Sequence, residues 1–219
     1  MFQSKRRAAA ARQKRNLIVY SNPDSIIAEQ FRTLRTNVQF LNGGKKSTLL
    51  LTSPSSSEGK STAAANLAVS MAQQKESVLL VDANLRDPHI HFIFKIPNDK
   101  GLADVLTGQA ELKDAAYQTE IGNLAILTSG QLDSNPAELL GSEAMEKLFQ
   151  KALENYDVIL IDSPPVLEVT DTKLLANKSD GVILVIGEGK TAIEKATEAK
   201  KALEFAKAKI YGVILNEMK

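Results

Sequence analysis

The chain has 219 residues, a formal net charge of +1, 43% hydrophobic residues and 5% aromatic residues. That length fits one α/β domain with a sizeable core, and the absence of cysteine excludes disulfides, thiolate metal sites and cysteine nucleophiles. No apolar run reaches the roughly 18 residues of a membrane span, and the amino terminus does not read as a secretory signal, so a cytoplasmic protein is expected.

Taken in chain order, Lys5, Arg6, Arg7, Arg12, Lys14 and Arg15 all precede the first acidic residue, Asp24. Residues 1–24 therefore read as a basic flexible arm. It is either a solvated tail or a docking arm, drawn to anionic lipid by about 1 kcal/mol per basic side chain. The remainder is net acidic and lacks basic–aromatic interleaving, which argues against nucleic acid as a partner. Asn22-Pro23-Asp24-Ser25 reads as a turn and helix start, followed by a helix over 26–41 that ends near Gly43-Gly44. Aliphatic runs predict strands near 48–52, 78–82, 124–128, 158–162, 181–186 and 210–215. Between them, helices are expected near 60–73, 102–106, 112–117, 143–155, 171–177 and 191–206. The alternation predicts a mostly parallel central sheet flanked by helices, with residues 25–219 as one domain. His89 and His91 have no third ligand nearby in the sequence and are assigned to the loop after the 78–82 strand rather than to a metal site.

The segment Leu49-Leu50-Leu51-Thr52-Ser53-Pro54-Ser55-Ser56-Ser57-Glu58-Gly59-Lys60-Ser61-Thr62 carries the chemistry. A buried strand, a loop of small residues and a helix opening with Gly-Lys-Ser-Thr form the order that a phosphate-binding loop needs. Backbone N–H groups and a helix dipole converge there on an anion. The Lys60 side chain is placed to reach the outer phosphates, and the Ser61 hydroxyl to ligate Mg²⁺. Pro54 stands where the motif usually has its first glycine. Two further strands stop at carboxylates, Asp82 and Asp162, on the carboxyl edge where open α/β sheets bind ligands. One such aspartate is a common strand end. Two beside a phosphate loop supply the hard oxygens that Mg²⁺ on a nucleotide triphosphate requires.

Together these residues resemble the bacterial protein-tyrosine kinases of capsular and exopolysaccharide synthesis, built on a P-loop ATPase scaffold related to partitioning ATPases. The resemblance rests on Glu29-Gln30-Phe31-Arg32-Thr33-Leu34-Arg35-Thr36-Asn37, Ser56-Ser57-Glu58-Gly59-Lys60-Ser61-Thr62, Val81-Asp82-Ala83-Asn84-Leu85-Arg86, Asn135-Pro136-Ala137-Glu138-Leu139-Leu140 and Ile161-Asp162-Ser163-Pro164-Pro165. It implies ATP and Mg²⁺ as cofactors and transfer of the γ-phosphate to tyrosine hydroxyls of protein substrates. Lys60, Asp82 and Asp162 would be catalytic; Ser57, Glu58, Gly59, Lys60, Ser61 and Thr62 would bind nucleotide; Ser61, Asp82 and Asp162 would hold the metal. Asp82 would also accept the tyrosine proton, and Asn216 resembles an adenine-contacting residue. Glu29, Arg32 and Arg35 match an E-x-x-R-x-x-R pattern of ring oligomers, while their spacing alone equally fits an exposed helix with an internal ion pair. The resemblance further implies a transmembrane adaptor that holds the protein at the inner face of the membrane.

Three departures from that family stand out. Asn84 replaces a second aspartate and cannot act as a base. Ser56 and Ser57 replace Pro-Gly, so a positive φ at 57 would cost about 1–2 kcal/mol. The sequence carries no tyrosine-rich tail after Asn216. An alternative expectation is therefore a nucleotide-gated assembly protein, a weak ATPase or pseudokinase working with the adaptor.

Overall fold

A computed structural model of the chain describes residues 17–132 and 134–217. Seven strands, β1 (Ser47–Thr52), β2 (Val78–Asp82), β3 (Tyr117–Gln118), β4 (Leu124–Leu127), β5 (Val158–Asp162), β6 (Gly181–Gly187) and β7 (Ile210–Asn216), form one sheet in the order β3-β4-β2-β5-β1-β6-β7. All neighbours are parallel except β3 and β4, where Tyr117 pairs antiparallel with Ile126. Every residue of β1, β2, β4 and β5 is buried. Their continuous aliphatic runs are what a sheet covered on both faces demands.

The period of two splits those runs between two cores. Leu49, Leu51, Val78, Leu80, Leu160 and Ile183 face one layer, made by α1 (Ile18–Ser21), α2 (Ile26–Asn42), α3 (Lys60–Ala72) and α4 (Ile90–Phe94). Leu50, Leu79, Val81, Ile159, Ile161 and Val182 face the other. That layer holds α5 (Leu102–Leu106), α6 (Leu112–Ala115), α7 (Pro136–Gly141), α8 (Glu143–Asn155), α9 (Asp171–Lys178) and α10 (Ile193–Phe205). Helix α3 is Ala-rich and almost wholly buried, so it lies close on the sheet. Helix α2 starts where Ser25 Oγ accepts from Ala28 N at 3.1 Å and stops at Gly43, φ 65°.

The predicted strands and longer helices are present with ends shifted by one or two residues. Helices α1, α4 and α7 are additions to the predicted set. The helix expected over 112–117 ends at Ala115, because Tyr117 is drawn into the β3–β4 pair. Of the residues the sequence groups with the basic arm, Leu17, Ile18 and Val19 pack on the domain: Val19 is fully buried and its N–H donates to Asn66 Oδ1 at 3.1 Å, while residues 20–24 are exposed. The basic side chains of the arm lie outside the described residues.

Candidate active site

Because β5 lies between β1 and β2, the loop after β1 opens beside the carboxyl ends of both. In this loop Ser57 has φ 61° and Gly59 φ 87°. Left-handed residues of this kind turn successive N–H groups to one side, the geometry of an anion nest. The positive φ at Ser57 costs about 1–2 kcal/mol relative to ordinary backbone. Gly59 is constrained twice, since a Cβ there would fall 2.2 Å from Asn216 Nδ2. Lys60 follows as the first residue of α3, nine-tenths buried, with Ser61 and Thr62 on the same first turn. Glu58 is buried, and its Oε1 accepts from Ser55 N at 3.2 Å, which closes the loop from inside.

Asp82 and Asp162 are in register on adjacent strands and both are fully buried. Their environments differ. Asp82 Oδ2 accepts from His89 N and Ile90 N, both at 3.0 Å, and Oδ1 accepts from Asn84 N at 3.2 Å. It thereby caps α4. Neither oxygen of Asp162 has a hydrogen-bond partner of ordinary geometry, although Ser61 and Lys60 are near enough to favour its charge. Burial raises the Asp162 carboxyl above the usual carboxylate range, against the pull of Lys60 and Ser61. Burial and the neighbouring Asp162 charge raise Asp82 as well, against its three backbone donors.

A buried carboxylate left bare beside a cradle for phosphates fits a hard cation such as Mg²⁺, which takes one or two carboxylates and completes its shell with phosphate and water. Among the described residues there is no cluster of three or more His, Cys, Asp or Glu poised for a metal, so no all-protein cage competes with that arrangement. The site opens into a groove of about 1660 Å³ that runs from the loop past Asn84, Arg86 and Pro164 to α2 and β7.

A family model described as an AAA domain matches residues 57–211. The tyrosine-protein kinase YwqD of Bacillus subtilis (strain 168) is 43% identical over 215 residues, covering 98% of this chain and 91% of its own length. The kinase domain of the Escherichia coli tyrosine kinase ETK superposes with a TM-score of 0.88 at 30% identity, over 92% of this chain and 80% of that one. The chimerical protein CapA2B2 gives a TM-score of 0.89 at 38% identity, over 93% and 90%. The chain belongs to the bacterial tyrosine-protein kinases of capsule and exopolysaccharide synthesis.

In this kinase the loop, Lys60, Ser61, Asp82 and Asp162 converge as the sequence predicts. Asn216 sits on the phosphate loop itself, where its Nδ2 donates to Glu58 O at 3.0 Å. Asn84, at the position of the missing aspartate, is held by the loop it belongs to: Nδ2 donates to Asp87 O at 2.6 Å. Glu29, Arg32 and Arg35 are not brought together. Arg32 pairs with Glu29 at 2.6 Å on the surface, whereas Arg35 is buried and donates to Ser70 O at 2.7 Å. Arg35 thus ties α2 to α3 within one chain.

Glu168 and Lys190 near the site have no counterpart in the sequence reading, and Arg86, quoted there only within a motif, has a partner the sequence does not name. Glu168 accepts from both the N–H and the hydroxyl of Ser56, each at 2.7 Å. Lys190 donates to Ser56 O at 3.2 Å and Ser57 O at 2.8 Å. Arg86 grips the buried Asp171 with two bonds, 2.8 and 3.1 Å, joining the β2 and β5 loops. The rule that identified Asp82 and Asp162, a carboxylate ending a buried strand, does not reach Lys190, which lies three residues after the end of β6.

Proposed function

We propose that this kinase transfers the γ-phosphoryl group of ATP to tyrosine hydroxyls of protein substrates, in the control of capsular or exopolysaccharide synthesis. The observation that carries the reading is the wholly unsatisfied, buried Asp162 carboxylate facing the Lys60–Ser61 turn of the phosphate loop. The N–H groups of the loop receive the β- and γ-phosphates, and the Lys60 ammonium follows charge as it shifts toward the leaving oxygen. Asp162 and the Ser61 hydroxyl would hold Mg²⁺, with Asp82 in register beside Asp162. The ion would supply charge neutralisation for the transferring phosphoryl group. The tyrosine oxygen forms the new bond to the γ-phosphorus while the bond to the β–γ bridging oxygen breaks. The hydroxyl proton passes to the Asp82 carboxylate, the carboxylate in register beside Asp162 at the same sheet edge.

The test is intact-mass spectrometry of the protein with a tyrosine-containing substrate after incubation with Mg²⁺-ATP. Gain of phosphate on tyrosine that disappears in Lys60→Met is expected; equal gain in the variant would overturn the assignment.

A membrane adaptor is the proposed partner, a reading supported by the similar chimera CapA2B2 and by the basic arm. Among the described residues no helix is long and apolar enough to cross a membrane. If copies assemble head to tail, the Glu29–Arg32 pair is the exposed part of the E-x-x-R-x-x-R motif that remains for the contact. One observation favours the second reading, a nucleotide-gated assembly protein: Asn84 offers no charge, and its amide is committed to Asp87. ATP-dependent assembly with the adaptor and no phosphotyrosine would support it.

A further inference from the structure

Lys190 lies outside the phosphate loop in sequence but holds its outer rim. A peptide unit points its C=O and the following N–H in opposite directions. The Lys190 ammonium draws Ser56 O and Ser57 O outward, so the N–H groups of Ser57 and Glu58 face inward. Asn216 does the same to Glu58 O, and so turns in the N–H of Gly59. Three consecutive N–H groups are thereby turned away from the two side chains that hold the carbonyls behind them.

The two struts form one unit. Gly187 pairs with Asn216 across β6 and β7, and Glu188 N donates to Asn216 O at 3.0 Å. The turn that presents Lys190 is closed by Lys190 N and Thr191 N on Gly187 O, at 3.2 and 3.0 Å, and by Gly187 N on Thr191 Oγ1 at 3.1 Å. Its position is therefore set by the sheet edge rather than by the loop it supports. The support is placed where the loop is least willing, because Ser57 holds φ 61° with a side chain that glycine would not impose.

We propose that Lys190 is a positioning residue, which with Asn216 keeps the phosphate cradle formed in a loop where serine has replaced the glycine suited to that backbone. The inference rests on the reading that the loop binds ATP. Lys190 is exposed, so its removal leaves the core intact and acts on the loop alone.

The experiment is a fluorescence titration of Mg²⁺-ATP and Mg²⁺-ADP onto the full chain, in wild type, Lys190→Met, Lys190→Arg, Ser57→Gly and the double variant Lys190→Met/Ser57→Gly. Lys190→Met should weaken both nucleotides about tenfold, in keeping with loss of charge-assisted bonds at an exposed site. Lys190→Arg should restore binding, since a guanidinium also reaches two carbonyls. In the Ser57→Gly background the loss should shrink to about twofold, because glycine holds the left-handed conformation unaided. Wild type that binds neither nucleotide would overturn the ATP reading itself. Wild type that binds, with Lys190→Met unchanged, would overturn the strut alone, and so would equal losses with and without the Ser57→Gly substitution.

Discussion

Replacing Asp162 by Asn should make the nucleotide-free protein more stable and abolish its response to Mg²⁺-nucleotide. The sign follows from the balance at the site. Burial raises the Asp162 carboxyl and outweighs the opposing attraction of Lys60 and Ser61, so the fold disfavours the ionised form relative to water. Asp82 in register beside it is raised by burial and by that same charge. A neutral isostere at 162 removes the first cost and, of the second, the part that the Asp162 charge supplies; the burial of Asp82 remains. The Asn variant should therefore melt above wild type at pH 8 without ligand. The pH dependence carries the same information. A carboxyl with a raised folded pKa contributes no penalty below its unfolded pKa near 3.9, and stability is lost as pH rises from there through the folded value. Wild type without ligand should therefore weaken between about pH 4 and pH 8, and Asp162→Asn should weaken less. With saturating Mg²⁺-ADP the order reverses, since ligand at 100 times its Kd adds about 2.7 kcal/mol only to the protein that binds it. The assay is thermal unfolding at pH 5 and pH 8, with and without Mg²⁺-ADP. An Asn variant less stable than wild type at pH 8 without ligand, or one fully stabilised by Mg²⁺-ADP, would refute the reasoning.

Two further outcomes are expected. Arg35→Ala should cost about 2 kcal/mol, or roughly 4–8 °C, because it strands the Ser70 carbonyl and empties buried space between α2 and α3, whereas Arg32→Ala should change monomer stability by less than about 0.5 kcal/mol; equal effects in thermal melts would sink the distinction. Gly59→Ala should lose nucleotide binding by titration while circular dichroism stays native, since its Cβ would strike Asn216 Nδ2 at 2.2 Å and the backbone holds φ 87°; tight binding by the variant would show that the loop and Asn216 readily separate.

Much of the fold was legible because its signals are local. The aliphatic runs of β1, β2 and β5 are buried on both faces, and the Gly-Lys-Ser-Thr turn follows directly in the chain. Asp82 and Asp162 announce themselves by ending those runs, although their direct pairing depends on β5 lying beside β2, which no local pattern states. The rest is long-range. Lys190 meets Ser57 across more than a hundred residues, as Glu168 meets Ser56. Arg35 reads as one more helical surface charge until α3 presents an uncommitted carbonyl at Ser70. Short elements such as α4 escape because they are nucleated from outside, here by the Asp82 carboxylate accepting the His89 and Ile90 N–H groups.

That capping bond bears on how Asp82 serves a tyrosine. A carboxylate that accepts three backbone N–H groups is normally held to a low proton affinity. Here burial and the Asp162 charge reverse the direction. A cation on Asp162 would remove the repulsion that raises Asp82 while burial, the larger cause, and the three N–H bonds remain. The proton affinity of Asp82 would then fall from its nucleotide-free value without losing the part that burial supplies. With Asn84 contributing no charge, the proposed base function would rest on Asp82 alone and respond to nucleotide. Phosphotransfer that depends on Asp82 only when Asp162 is intact is the behaviour such coupling requires, whereas an assembly protein would need Asp162 for nucleotide and Asp82 only for the cap on α4.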